Sequence, residues 1–276
     1  VAAACLTVAF ICTGTEETTD SPMPTESAAQ TSASAELPAS TSTPAPSPMQ
    51  TPAPTPSPTP TSEPTPEAGP LEGIVIGIDP GHQAHQNSDP EPIAPGSEET
   101  KMKVSSGTSG VASGVEEHVV NLNVGLKLRD MLEDAGAEVV MTRTSADVDI
   151  SNIERAAVFN EAGVDLGIRL HCDGVDDESV RGAFMLIPED NPYEEQIRRA
   201  AEIIIEEYTD TTGLKQLSTQ VRSDQTGFNW CKRPVVNIEM GYMSNLEEDW
   251  LITDEDFQTD MARGIYNGIL AYFSEQ

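Results

Sequence analysis

Basic residues are scarce in this chain. Against 46 Asp and Glu, the 276 residues include only 15 Lys and Arg, and none of these precedes Lys101. Phosphate backbones are bound by clustered Lys and Arg, and the absence of any such cluster argues against nucleic acid as a partner. An acidic excess of this kind suits a solvated, self-repelling surface outside the cell. Cysteine is scarce too. Only Cys172 and Cys231 fall in the part that reads as globular, and two thiols without close spacing make neither a disulfide framework nor a zinc ribbon. Two buried or idle thiols are the simplest reading, with a bridge in an oxidising compartment left open. Long apolar runs are also missing. The uncharged stretch 2–11 is too short for the ~20 apolar residues that cross a bilayer. It reads as the core of a truncated signal peptide, and Cys12 at its end leaves a membrane lipid anchor open beside plain secretion.

What is plentiful is proline, and only locally. Of 21 prolines, 14 lie between Pro22 and Pro70, interleaved with Ser, Thr and Ala. Such a stretch has too little apolar surface to offset its ordering entropy. After a signal or lipoprotein segment at 1–12, residues 13–70 are therefore predicted to be a disordered, polyproline-like linker. Residues 71–276 have the length of one domain with a single sizeable core. They hold 39 acidic and 15 basic residues, a net charge of −24.

Within that domain, short β-branched runs at 74–79, 137–142, 165–170, 182–187, 219–223 and 235–239 alternate with longer helical patterns. Alternation of this kind marks βαβ units around a parallel sheet. Residues 116–135 place Val120, Val124, Leu128 and Leu132 at intervals of four, a stripe that Gly136 would close as a C-cap. Similar stripes run through 153–160, 193–208 and the C-terminal Phe257, Met261, Ile265 and Ile269. The predicted fold is a single α/β domain, phosphorylase/hydrolase-like, with a largely parallel, about six-stranded sheet flanked by helices. Residues 83–114 fit neither period and read as a long loop, a feature that in compact domains is usually functional or mobile. No internal repeat is apparent.

Chemistry concentrates at strand ends. The first run breaks into Asp79-Pro80-Gly81-His82, the third ends Arg169-Leu170-His171, and the last ends Asn237-Ile238-Glu239. In a parallel sheet these carboxyl ends share one edge, where open α/β folds place their ligands. Glu117 begins the first amphipathic helix and so enters at the same edge. Two imidazoles and a carboxylate can meet there, a donor set that suits a catalytic zinc ion with one position open. Each residue alone has a plainer reading, as a satisfied histidine or a Glu favoured at a helix start. Glu239 differs, since a carboxylate among Val, Val, Ile and Met needs a compensating partner or a task. His118, ~100° around the helix from Glu117, and His85, in the long loop, are weaker ligand candidates. Cys172, next to His171 on a strand, should face the opposite side.

Six segments in order resemble the zinc-dependent N-acetylmuramoyl-L-alanine amidases that cleave bacterial peptidoglycan. They are Ile78 to His82; Glu117 with Asn121-Leu122; Val140 to Arg143; Glu154-Arg155-Ala156-Ala157 with Asn160; Arg169 to Asp173; and Asn237 to Asn245. The resemblance spans 73–275. It implies Zn2+ held by His82, Glu117 and His171, with Glu239 as the catalytic acid/base; Asn245 is a candidate substrate contact, and so is Arg169, which shares a strand face with His171. The implied reaction is hydrolysis of the amide between N-acetylmuramic acid and L-alanine, by a monomer located outside the cell or at the cell wall. Two departures stand out. A loop of about thirty residues follows His82 where the family has a compact glycine-rich turn. Arg169 also stands where a small Ser is commoner; it can face a peptide carboxylate or pair with one of the many acids. Two rival functions remain at this stage: a catalytically silent peptidoglycan-binding module and a zinc carboxypeptidase acting on wall peptides.

Overall fold

The computed structural model describes residues 69–275. The predicted signal or lipoprotein segment, and all but the last two residues of the predicted linker, lie outside the described residues. In chain order the elements are β1 (Val75–Pro80), β2 (Asn87–Pro92), β3 (Thr100–Val104), α1 (Glu117–Asp134), β4 (Glu138–Met141), α2 (Asn152–Ala162), β5 (Leu166–Asp173), β6 (Phe184–Pro188), α3 (Glu194–Thr212), β7 (Gln220–Arg222), α4 (Thr226–Asn229), β8 (Val235–Tyr242), α5 (Leu246–Ile252) and α6 (Glu255–Ser274).

Six strands form one sheet in the order β4-β1-β5-β8-β6-β7. The contiguous set β4, β1, β5 and β8 is parallel, whereas β6 runs antiparallel to β8 and parallel to β7. The carboxyl ends of β1, β5 and β8 are therefore neighbours on one edge, as the predicted βαβ alternation requires. The α1 stripe Val120, Val124, Leu128 and Leu132 is wholly buried, each side chain contributing on the order of 2 kcal/mol of apolar burial before entropy is counted. These residues join the larger core with Ile197, Ile204, Met261 and Ile265 of α3 and α6. A second core holds Phe159 of α2, Phe228 of α4 and Val235. Cys172 sits in the larger core and Cys231 in the second, and both are free thiols.

Three helix starts, those of α2, α5 and α6, follow capping chemistry. The Ser151 side chain accepts from the Glu154 amide, and the Glu154 carboxylate accepts in return from the Ser151 amide, a reciprocal box that satisfies two orphan donors. Asn245 caps α5 and Asp254 caps α6 in the same sense. At the other end of α1, Gly136 follows the C-cap Ala135 with φ +93, the left-handed geometry expected of glycine there.

The structure corrects the reading of 83–114 as a loop throughout. Within it, β2 and β3 pair as an antiparallel two-stranded ribbon. The segment Asn87-Ser88-Asp89-Pro90-Glu91-Pro92 has no alternating apolar pattern, so strand periodicity could not reveal it. Side chains hold the ribbon to the domain instead. Asn152 Nδ2 donates to the Lys103 carbonyl at 2.7 Å, Trp230 Nε1 to the Pro92 carbonyl at 2.9 Å, and Asn229 Nδ2 to the Ile93 carbonyl at 3.1 Å.

Candidate metal centre and active-site cleft

His82 leaves β1 with φ 59, a left-handed conformation uncommon for a residue with a side chain and found where surroundings enforce it. Three arginine contacts do so. Arg155, in the first turn of α2, donates to the carbonyls of Pro80 (2.9 Å) and His82 (2.8 Å), and Arg143 Nε donates to the Pro80 carbonyl at 2.8 Å. Arg143 also reaches the carbonyls of Gly81 and His118, tying the His82 turn to the start of α1. Beneath them Asp79 is almost completely buried, accepting from Arg155 Nη1 at 2.7 Å, Arg169 Nε at 2.8 Å and Thr142 Oγ1 at 2.6 Å. Burial by itself would raise the Asp79 carboxyl, but the two guanidiniums and the hydroxyl hold it well below the usual carboxylate range.

At the sheet edge His82 Nε2 lies 3.2 Å from Glu117 Oε2, His171 Nδ1 lies 3.1 Å from Glu117 Oε1, and the two imidazole nitrogens are 3.1 Å apart. All three donor atoms fall within 4.8 Å of one another. A tetrahedral ion with ~2.0–2.1 Å bonds spaces its ligand atoms about 3.3 Å apart, and the two imidazole nitrogens, and each imidazole with its nearer carboxylate oxygen, sit close to that spacing.

The protonation states suit ligation as well. Burial pushes the His171 imidazole down to about 4, so it is neutral at pH 7. Burial would raise Glu117, but His82 and His171 hold it well below the ordinary range, as a carboxylate. His82 Nδ1 meets the Ser105 carbonyl at 2.9 Å; a carbonyl only accepts, so Nδ1 is the donor there, and this contact turns Nε2 toward Glu117 and His171. Glu117 is positioned by the amides of Thr108 (2.9 Å) and Cys172 (3.1 Å) and by Asn121 Nδ2 (3.1 Å). Two glycines make room for the triad. A Cβ on Gly81 would lie 2.2 Å from the His171 ring, and one on Gly107 would lie 2.6 Å from Glu117 Oε2.

Glu239 is the cross-strand partner of His171, and Asn237 that of Arg169. Residues two apart on a strand share a face, so Arg169, His171, Asn237 and Glu239 form one patch. Asn237 Nδ2 donates to Glu239 Oε1 at 3.0 Å. Burial, with Glu117 and Asp173 nearby, pushes the Glu239 carboxyl well above its ordinary range. Two cavities open beside it. One of about 300 Å³ is walled by Lys101, Ser105, Asn152, Arg169, Asn237 and Glu239, among others. The other, about 450 Å³, is lined by Thr108, Glu117, Asp173 and Gly174, and the two share His82, Ser105, His171 and Glu239.

The family profile described as Amidase_3, N-acetylmuramoyl-L-alanine amidase, matches residues 76–271, well over half of the chain. The chain belongs to the N-acetylmuramoyl-L-alanine amidase family. The amidase is 26% identical over 223 residues to the germination-specific N-acetylmuramoyl-L-alanine amidase of Bacillus subtilis, a match covering 75% of this chain and 83% of that protein. It is 26% identical over 222 residues to the N-acetylmuramoyl-L-alanine amidase Rv3717 of Mycobacterium tuberculosis, covering 75% and 89%. Its fold is similar to the crystal structure of the amidase Ami1 from Mycobacterium smegmatis, with TM-score 0.68 and 24% identity over 75% of this chain and 99% of that one.

Of the residues singled out from sequence, the amidase brings His82, Glu117, His171 and Glu239 together around one cleft. Arg169 borders that cleft and also pairs with Asp79. Asn245 does not reach it: its side chain accepts from the amides of Glu247 and Glu248 and donates to the Glu178 carbonyl. His118 is buried with its Nδ1 3.5 Å from Glu116, and His85 lies outside the cleft-lining set. Sequence reasoning missed Asp79 and Arg155 as supports of the His82 turn, although both lie inside matched segments. It also missed Asn237, whose spacing of two from Glu239 on a strand was the available signal. Lys101 and Asn152 carried none, because only the ribbon and the start of α2 bring them to the cleft.

Proposed function

We propose that this domain is a zinc-dependent hydrolase of the amide bond between N-acetylmuramic acid and the L-alanine of peptidoglycan stem peptides. Family membership supports the reaction. The observation that carries the metal and the roles is the convergence of His82, Glu117 and His171, the imidazole nitrogens 3.1 Å apart and each 3.1–3.2 Å from its own carboxylate oxygen of Glu117, beside a buried carboxylate on the neighbouring strand.

In this reading His82, Glu117 and His171 hold the ion. A bound zinc ion supplies Lewis acidity toward the scissile carbonyl and lowers the pKa of a water toward ~7. Glu239, its Oε1 held by Asn237, uses Oε2 to take the proton from the attacking water and then delivers one to the departing L-alanine nitrogen. A carboxyl pushed upward by burial is a stronger proton acceptor than a solvated glutamate, and such a shuttle is worth roughly 10²–10⁴-fold. A carboxylate with this task accounts for Glu239 better than a silent wall-binding module does.

The relatives include proteins named probable cell wall amidase LytH in Staphylococcus, which supports action at the cell wall. No helix among the described residues is long and apolar enough to cross a membrane. The test is Glu239→Gln, which keeps the shape and removes the base. One zinc per chain with hydrolysis of muropeptides reduced at least a hundredfold is the expected result; full activity would refute the role. Mass analysis of the wild-type product separates the reactions, since the amidase releases the whole stem peptide and a carboxypeptidase only its terminal residue.

A further inference from the structure

The two cavities that flank the triad differ in charge. The smaller one has Lys101, from the ribbon strand β3, and Arg169, from β5, in its walls; the larger has Asp173 and neither Lys nor Arg. The acids beside the two cations do not cancel them. Asp224 takes Lys101 Nζ at 3.2 Å but also takes Arg222 through both of its oxygens, at 2.8 and 2.9 Å. Asp79 is likewise shared between Arg155 and Arg169. Neither acid is therefore a dedicated partner of the cavity's Lys101 or Arg169, and these two are the cavity's only Lys or Arg, in a domain whose net charge is −24. Arg169 hydrogen-bonds through Nε to Asp79 and through Nη2 to Asn152, which leaves Nη1 as its free donor in the cavity wall.

Placement adds a second argument. Arg169 stands two residues before His171 on the same face of β5, about 7 Å along the strand, a span of about two peptide units. We propose that the smaller cavity is the stem-peptide subsite, in which Lys101 and Arg169 bind a free carboxylate one or two residues beyond the scissile amide, so that the sugar lies toward Asp173. This rests on the amidase reading above and adds a direction and a chemical preference to it. An acidic stem peptide is favoured over the same peptide carrying a carboxamide at that position. The ribbon, whose strands lie in the segment that follows His82, is then a specificity element, because it delivers Lys101.

The test uses the full zinc-loaded chain and two synthetic N-acetylmuramoyl stem peptides that differ only in a free or amidated carboxyl on the second residue. The expected preference in kcat/KM for the free acid is roughly tenfold, the ratio for one charge-assisted contact, carried mainly by KM and shrinking as salt screens it. Lys101 is well exposed at its side chain, so Lys101→Glu should fold and bind zinc normally while abolishing or inverting the preference. Equal kcat/KM for both peptides, or an unchanged ratio in Lys101→Glu, would overturn the subsite while leaving the amidase reading intact. Hydrolysis of neither peptide by the zinc-loaded protein would instead overturn that reading, and the subsite with it.

Discussion

Asp79→Asn should destabilise the domain far more than its small change in shape suggests. In the native protein the carboxylate accepts three short hydrogen bonds and is the shared counter-charge of Arg155 and Arg169, all three residues being at most 5% exposed. An amide turns one acceptor into a donor, directs it at a guanidinium or hydroxyl, and leaves two buried cations without their anion. Removing one member of a buried pair costs about 3–5 kcal/mol. The lower half of that range applies here, because Arg155 keeps its carbonyls at Pro80 and His82 and Arg169 keeps Asn152. At about 2–4 °C per kcal/mol for a domain of this size, Tm should fall by roughly 10 °C, measured by calorimetry on the metal-free protein. The dependence on pH has a definite sign. The folded Asp79 titrates far below the ~3.9 of an unfolded aspartate, so its contribution is complete above that value and drains away as pH falls toward the folded pKa. Stability below about pH 4 should therefore fall less steeply in Asp79→Asn. A loss under about 1 kcal/mol, with an unchanged acid limb, would refute the account of Asp79 as the electrostatic keystone of the His82 turn.

Zinc should stabilise the fold: at a free concentration of 100 Kd, linkage contributes about 2.7 kcal/mol, a rise in Tm of roughly 5–10 °C that a chelator reverses; a Tm indifferent to both would argue against the site. Gly81→Ala places a Cβ 2.2 Å from the His171 ring, so zinc affinity measured by competition with a chromophoric chelator should weaken at least tenfold. Asp249 is fully buried and accepts from the amides of Ala112 and Ser113 and from Ser113 Oγ. Asp249→Ala should then cost about 2–3 kcal/mol, the scale for hydrogen bonds to a charged group, with faster amide exchange confined to 110–116, the approach to Glu117. Protection unchanged across that segment would count against its anchoring role.

All six strands of the main sheet and its four long helices were legible in the sequence; except for the short edge strand β7, whose residues are exposed or half-buried, each turns an apolar face inward with its own period. So were the four residues of the cleft. His82, His171 and Glu239 sit just beyond or near the carboxyl ends of parallel strands, and topology makes those ends neighbours. The ribbon was illegible for the converse reason: its strands bury little, and it is fixed by polar side chains from α2 and from the α4 turn that lie more than forty residues away. Arg169 shows the same division. The alternation of a strand put it on the face of His171, but only the packed structure could decide its partner, since Asp79, Asn152 and the cavity all compete for one guanidinium. Asn245 matched a family segment yet caps α5, because a side chain at a helix start finds its nearest donors in its own backbone. Local periodicity and strand topology, both written in the chain, determined where the chemistry would gather. The contacts that tune that chemistry, the Asp79–arginine cluster and the cationic wall from β3, arise between segments with no pattern linking them, and so only the tertiary structure decided them.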